Sequence, residues 1–579
     1  MFESIRTGRI KWFAVLVAIS MAIFVVRLFY LQVIRHDYYA MQANAEQMKQ
    51  WNLPAVRGEI YSFDNGQPTK LVLNETVYTV WVDPKVVTEP GKVISVLKKV
   101  AGGNVVDNFE GLLDKKDTRY QVLAKKVSDQ QAAMIKKERI YGLGFERGVQ
   151  RVYPEGQLGS QILGFVNAAG EGQYGIEEGM NSQLTGTDGL LKSVKDVRDV
   201  PLTIGNENVM QPAKNGQNLV LSIDRSVQAY TEKALADGLQ RTGAKTGSVI
   251  VMDPRDGHVM AMASLPTYDP SKLGEVTDVA AFNNNTISRP YEPGSDIKTF
   301  TVAMGLDTGT IQPSSTYVNT DYIQVNDRVI ANALKGHTGT ITMQDALNYS
   351  LNTGMVTIMQ RLGDGSNITL GARQKTYDYF HDRLRLGQLT GIELAHESAG
   401  TVHSPDDPEG NAVRYSNMAF GQGMDVTMLQ VAAGFCAIVN GGTYFKPSVV
   451  EGSIENGIFT RAAARGVYSN ILSPTSSQTA REMVHIARTG FHKNIDTPGY
   501  YIGGKTGTSQ TIQNGQYVNN ETIATYLGFG GSIDEASRYV IMVEVAGPGM
   551  NLEGAVHAMP IFTDISNWML KYLKLQPKG

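Results

Sequence analysis

Ser295 and Lys298, three residues apart in the run Tyr291-Glu-Pro-Gly-Ser-Asp-Ile-Lys298, are the residues of this chain whose types and spacing bear most directly on chemistry. A serine hydroxyl is a poor nucleophile until a neighbouring base takes its proton, and a neutral lysine amine is such a base. Residues i and i+3 share a helix face, so the pair meets if the segment is helical. Pro293 and Gly294 end the preceding loop and start that helix at the serine. The chemistry on offer is transfer of an acyl group to Ser295. Two short patterns follow in order: Ser350-Leu-Asn352, with a second hydroxyl and an amide, then Lys505-Thr-Gly-Thr508, with a cation, two hydroxyls and an open backbone. Each has a plainer reading on its own. A serine at a helix start is a cap, and Ser and Asn are common turn residues. Lys-Thr-Gly also occurs at Lys245-Thr-Gly247, ahead of the serine, where it reads as a solvent-facing loop leading into a strand.

The elements that must position these residues form a helix, a hairpin, many helices and then strands, an α+β pattern. Asp224 caps a helix in which Val227, Tyr230, Ala234, Leu235 and Leu239 recur at helical spacing, with Gly243 after its end. Ser248 to Met252 and His258 to Ala263 read as paired strands across the turn at Asp253 to Gly257. The helix begun at Ser295 continues through Ile297, Phe300, Thr301 and Met304 to near Gly309. Further helices are expected over Met343 to Leu362, Thr427 to Val439, Ser476 to Thr489 and Pro560 to Tyr572, and strands over Thr522 to Phe529 and Tyr539 to Ala546. This gives a catalytic domain over 216–572 and a short tail, 573–579. Upstream, 36–215 reads as a mixed, strand-containing module. It carries a hairpin around Asp64-Asn-Gly66, short helices at Lys92 to Val100 and Gln130 to Lys137, and a linker at Gln211 to Gln217.

At 579 residues, 42% hydrophobic and 19% charged, the chain has room for large cores. A net charge of -3 provides no global basic field, which argues against nucleic acid as a partner. The single cysteine, Cys436, lies in an apolar helix and reads as a buried small hydrophobe. The nine histidines are scattered, so neither a metal nor a cofactor is expected. Trp12 to Val26 is free of charge and apolar residues resume after Arg27 to Ile34, enough for the roughly 20 residues that cross a bilayer. A transmembrane anchor is expected over 12–34. Arg6, Arg9 and Lys11 precede it, so the positive-inside bias leaves 1–11 as a cytoplasmic tail, with the bulk of the chain outside a plasma membrane crossed once.

The ordered set Ser-x-x-Lys, Ser-x-Asn and Lys-Thr-Gly is that of active-site serine penicillin-interacting enzymes. With it come Arg57-Gly-Glu-Ile60, Tyr153-Pro-Glu-Gly156, Gly172-Gln-Tyr-Gly-Ile-Glu177, Met252-Asp-Pro254, Ala419-Phe-Gly-Gln-Gly423 and Asn440-Gly-Gly442. Over nearly its whole length the chain thereby resembles class B penicillin-binding proteins, peptidoglycan D,D-transpeptidases of the septation or elongation type. The resemblance implies an elongated pedestal of the dimerisation type and a penicillin-binding domain built like serine β-lactamases, with an antiparallel sheet flanked by helices. It implies Ser295 as nucleophile, Lys298 as base, Ser350 as proton relay, and Asn352 as holder of the donor peptide. Lys505, Thr506, Gly507 and Thr508 would bind substrate. The implied ligands are peptidoglycan stem peptides and β-lactams, and the implied partners a membrane-embedded glycosyltransferase and other cell-wall synthesis proteins. Asp296 departs from the Thr or similar residue expected after the nucleophile.

Three other readings compete. A β-lactam hydrolase or sensor would use the same serine, and Glu397 in Glu393-Leu-Ala-His-Glu397 is the carboxylate to watch for water activation. A catalytically silent scaffold would keep the fold alone. Gly499-Tyr-Tyr-Ile-Gly-Gly504-Lys505-Thr506 fits a phosphate-binding loop letter for letter, but that loop needs a hydrophobic strand before it and a helix after it.

Overall fold

The structure is a computed structural model that describes residues 2–39, 48–64, 66–194, 209–491, 495–513 and 515–578. It separates into two compact units, Met1–Arg57 with Thr185–Gly216, and Gly58–Leu184 with Gln217–Gly579.

The first unit carries helix α1 (Phe2–Phe29), which runs on as a wider helical turn to Ile34. Ile10–Ile34, 25 residues, is long and apolar enough to cross a membrane. The unit also holds a three-stranded antiparallel sheet in which Gly189–Val194 lies between Met48–Leu53 and Val209–Gln211. Just beyond Gln211, Lys214 bridges to Thr187, and Asn215 Oδ1 accepts from the Val56 amide at 3.0 Å. The expected linker is therefore pinned along much of its length.

The second unit opens with strands β1 (Ile60–Asp64) and β2 (Gln67–Val82), the expected hairpin; Asn65 in its turn lies outside the described residues. Helix α2 (Pro90–Val100), strand β3 (Gln121–Ser128), helix α3 (Asp129–Lys137) and strand β4 (Leu143–Val152) follow. Ser128 caps α3 by accepting from the Gln131 amide, and the Gln131 side chain accepts from the Ser128 amide; reciprocal caps of this kind mark a helix start in sequence. Val93 and Leu97 of α2 and Ala132 and Ile135 of α3 bury against Val80, Leu123 and Val127 of the strands.

Next come strand β5 (Asn218–Asp224), helix α4 (Arg225–Thr242), and strands β6 (Thr246–Met252) and β7 (Val259–Leu265). The Asp224 carboxylate accepts from the amides of Ser226 and Val227 at 2.9 and 3.0 Å, as its capping role requires. A short 3-10 turn, Gly294–Ile297, leads into helix α5 (Lys298–Asp307). The single helix expected over Met343 to Leu362 is instead two, α6 (Met343–Asn348) and α7 (Asn352–Leu362). They part at Ser350, whose φ of +57° lies in the left-handed region, where a side chain costs about 1–2 kcal/mol. Helix α8 (Met428–Val439), strands β8 (Val450–Glu455) and β9 (Ile458–Arg461) and helix α9 (Pro474–Phe491) precede the last four elements. These are β10 (Tyr500–Gln513), β11 (Gln516–Ser532), β12 (Tyr539–Ala546) and helix α10 (Met559–Tyr572).

Two sheets organise this unit. In one the order is β9-β8-β5-β1-β2-β3, with β4 also on β2, so strands from either side of residue 216 share it. The other is antiparallel in the order β7-β6-β12-β11-β10. Its strands alternate between two cores. Val249, Val251, Ile541 and Val543 pack with Leu235 of α4 and with Phe562 and Ile565 of α10. Ile250, Met252, Val540 and Met542 pack with Phe300 of α5 and Leu429 of α8. Burial on both faces is why these strands read as unbroken apolar runs. Cys436 of α8 is inside the second core, where burial pushes its thiol up.

Candidate active site

Strand β10 settles the competing reading of Lys505. The strand runs from Tyr500 to Gln513 without a break and is followed by another strand, so no helix N-terminus is present to receive phosphate. Lys505 is buried on this edge strand, whereas Lys245 is exposed at the head of β6. Among two copies of the same tripeptide, position in the sheet separates them.

Against β10 lies the turn that starts α5. Gly294 sits at φ +59°, its amide donates to Gly421 O at 2.9 Å, and a Cβ added to it would lie 2.8 Å from Thr508 O. Only a residue without a side chain brings the two backbones this close. Ser295 follows, partly exposed, and with it Lys298, Ser350, Asn352, Thr506 and Thr508 line one cleft of about 230 Å³. Lys505 and Gly507 stand on the same strand as the two threonines. All eight residues singled out in sequence thus converge, from three segments far apart in the chain. Sequence reasoning did not single out Tyr349, Leu334, Phe420 and Gln422, which also line the cleft. Phe420 and Gln422 belong to the run Ala419 to Gly423, so a signal was present for them.

Lys298 is 1% exposed, and its Nζ donates to Ser350 O at 2.6 Å and to Ser350 Oγ at 3.2 Å. The left-handed turn at Ser350 presents carbonyl and hydroxyl to the same amine. Burial, with Lys505 nearby as a second cation, drives the Lys298 pKa well below its ordinary value. Lys505 Nζ donates to Thr506 O at 3.0 Å and to Thr506 Oγ1 at 3.3 Å. Burial lowers its pKa too, and the Asp296 carboxylate works against that. Asn352 Nδ2 donates to Ala331 O at 2.9 Å, fastening the start of α7 to a neighbouring strand. The arrangement can bring a neutral amine, a relayed proton and a cation to one acyl carbon at Ser295.

Glu397 is occupied elsewhere. Its Oε1 accepts from the Thr390 amide and hydroxyl at 2.7 and 2.6 Å and its Oε2 from the Gly391 amide at 2.8 Å, so the carboxylate staples its own loop.

The model of the penicillin binding protein transpeptidase domain matches residues 247–567, and that of the penicillin-binding protein dimerisation domain matches 52–221. The chain is 27% identical over 578 residues to the probable peptidoglycan D,D-transpeptidase PenA of Neisseria meningitidis, covering 98% of this chain and 94% of that protein. It is 28% identical over 536 residues to stage V sporulation protein D of Bacillus subtilis, with 91% and 80% covered. Among solved structures, penicillin binding protein 2X from Streptococcus thermophilus superposes with a TM-score of 0.73 over 91% of this chain and 80% of that one, at 23% identity, a likeness of fold. The two domain matches, in this order and behind an apolar N-terminal helix, place the chain in the penicillin-binding protein transpeptidase family, as a member of its class B.

Proposed function

We propose that this protein is a peptidoglycan D,D-transpeptidase that cross-links stem peptides through a serine acyl-enzyme. The observation that carries the reading is the buried Lys298 amine, bonded to Ser350 and one helical turn from Ser295, in a cleft walled by the Lys505 to Thr508 strand. Ser295 Oγ attacks the carbonyl of the penultimate D-alanine of a donor stem peptide, and its proton passes to Lys298. Backbone amides of Ser295 and Thr508 steady the oxyanion, each donor of this kind being worth about 3 kcal/mol. As the C–N bond breaks, Ser350 relays the proton to the departing D-alanine amine. Asn352 holds the donor peptide, while Lys505, Thr506 and Thr508 receive its terminal carboxylate and the Gly507 backbone lets it approach. An amine of a neighbouring stem peptide then attacks the acyl-enzyme, forms the cross-link and frees Ser295. A β-lactam enters the same route and stays on the serine.

The same reading places α1 across the plasma membrane, with residues 1–11 cytoplasmic and everything after the anchor outside. Residues 36–215 serve as pedestal and interaction surface, residues 216–572 as the transpeptidase domain, and a membrane-embedded glycosyltransferase supplies the glycan. The test is labelling with a fluorescent penicillin. Wild type takes one label per chain, whereas Ser295→Ala takes none while keeping its thermal melt. Equal labelling of the two would refute the assignment.

A further inference from the structure

The run Tyr291-Glu-Pro-Gly294, which leads into Ser295, lies antiparallel to residues 421–426, and three rungs join the two segments. Tyr291 and Val426 exchange amide-to-carbonyl hydrogen bonds of 3.0 Å in both directions, and the Gly294 amide donates to Gly421 O at 2.9 Å. Between these rungs stands Pro293, which has no amide proton to give. The middle rung comes from a side chain instead: Glu292 Oε1 accepts from the Gly423 amide at 2.6 Å. Gln422, which lines the cleft with Ser295, sits between the two glycines that are tied in this way.

The same side chain reaches a third element. The Tyr517 hydroxyl of β11 donates to Glu292 Oε1 and Oε2, at 3.2 Å to each. Tyr517 pairs in register with Ile512 of β10, on the strand that carries Lys505 to Thr508, so this contact fixes the outer end of that strand. Glu292 is 5% exposed and Tyr517 48% exposed. Burial pushes the Glu292 carboxyl up, and its bonds to Gly423 and Tyr517 oppose that shift. Both contacts are made by the carboxyl oxygens and call for no net charge. One buried group thereby touches the approach to Ser295, the loop that carries Gln422 and the β10–β11 hairpin.

We propose that Glu292 is a positioning residue: its carboxyl staples the turn that presents Ser295 to the loop that carries Gln422 and to the outer end of β10, and so sets the nucleophile between two walls of the cleft. Glu292 takes no proton and touches no reacting atom. It acts through Gly423 and Tyr517, and the proposal rests on the acyl-transfer reading above.

The experiment measures the limiting rate of acylation of the full chain, in detergent, at saturating fluorescent penicillin, per folded molecule and beside thermal melts. Tyr517→Phe removes one hydroxyl from a half-exposed ring and should lower that rate about 3- to 10-fold, the size of one hydrogen bond. Glu292→Ala leaves the Gly423 amide without its partner and should slow acylation about 100-fold, as a displacement near 1 Å does. Glu292→Gln keeps an oxygen for that amide and should recover most of the loss. Glu292→Ala with Tyr517→Phe should be no slower than Glu292→Ala alone, because the hydroxyl acts through the carboxyl. A merely structural role would lower the melts and leave the limiting rate unchanged; that result in Tyr517→Phe overturns the proposal, even where Glu292→Ala does not fold. So does multiplicative slowing in the double variant, or Glu292→Gln as slow as Glu292→Ala. A wild type that takes no label refutes the acyl-transfer reading itself, and the proposal with it.

Discussion

Replacing Gly294 by alanine tests whether the contact between the α5 turn and strand β10 sets the geometry of the cleft. Two costs can be worked separately. At φ +59° an added Cβ costs about 1–2 kcal/mol from local crowding alone. The same Cβ would stand 2.8 Å from Thr508 O and 3.1 Å from Thr508 C, backbone atoms that cannot swing aside, and overpacking of this kind costs about 1–3 kcal/mol. The hydrogen bond from the Gly294 amide to Gly421 O limits retreat on the other side. Gly294→Ala should therefore lose about 2–5 kcal/mol of stability. It should also part Ser295 from Thr508, and a displacement near 1 Å lowers the rate of a positioned reaction about 100-fold. Gly309→Ala is the control. It has the same backbone demand, φ +70°, with nothing within 4 Å of the added atom, so it should lose only the first cost and acylate normally. The assay is the rate of labelling by a fluorescent penicillin, normalised to folded protein, beside thermal melts of both variants. Gly294→Ala behaving like Gly309→Ala in both measurements would refute the claim that this contact positions the nucleophile.

Two further outcomes are expected. The His258 imidazole stands 3.1 Å from Asp256 and 3.2 Å from Glu451. Burial pulls its pKa down, but Asp256 and Glu451 outweigh burial and hold it above the ordinary value. A raised folded-state pKa contributes stability that is complete below about pH 6.5 and is lost as pH rises through the folded value. His258→Gln should then cost up to about 1 kcal/mol at pH 6 and less at pH 9 in denaturant melts, and an equal loss at both would remove the ionic account. Glu397→Gln should cost about 1–3 kcal/mol of stability through its three loop hydrogen bonds and leave the lifetime of the penicilloyl-enzyme unchanged; a changed lifetime would bring Glu397 into the chemistry.

The elements most legible in sequence are those whose signals are local. Asp224 before a helical stripe placed α4 to the residue, because a cap and a periodicity are properties of neighbouring positions. The apolar runs at 248–252 and 539–546 placed strands β6 and β12, because burial on both faces leaves no polar alternation to misread. The antiparallel sheet itself was legible through the family resemblance. Its order, with β12 between β6 and β11, joins segments hundreds of residues apart, and no local pattern encodes such a pairing.

The site residues show where local reading stops. Met343 to Leu362 carries a continuous helical pattern, and nothing at Ser350 announces the left-handed turn that divides it; a glycine there would have done so. The conformation is imposed by tertiary contacts instead, since the Ser350 carbonyl and hydroxyl both meet the buried Lys298 amine. Strain held by such contacts is common where a side chain must be aimed. Asp296 is the converse case. In sequence it is a carboxylate next to Ser295, where the family resemblance leads one to expect Thr or a similar residue. Its direction is set by the 3-10 turn, which leaves Ser295 at the cleft and buries the next residue against Gly507 and Thr525. Whether the side chain after Ser295 faces the cleft or the interior depends on which side of the turn it emerges, and that is decided by the packing of α5 on β10.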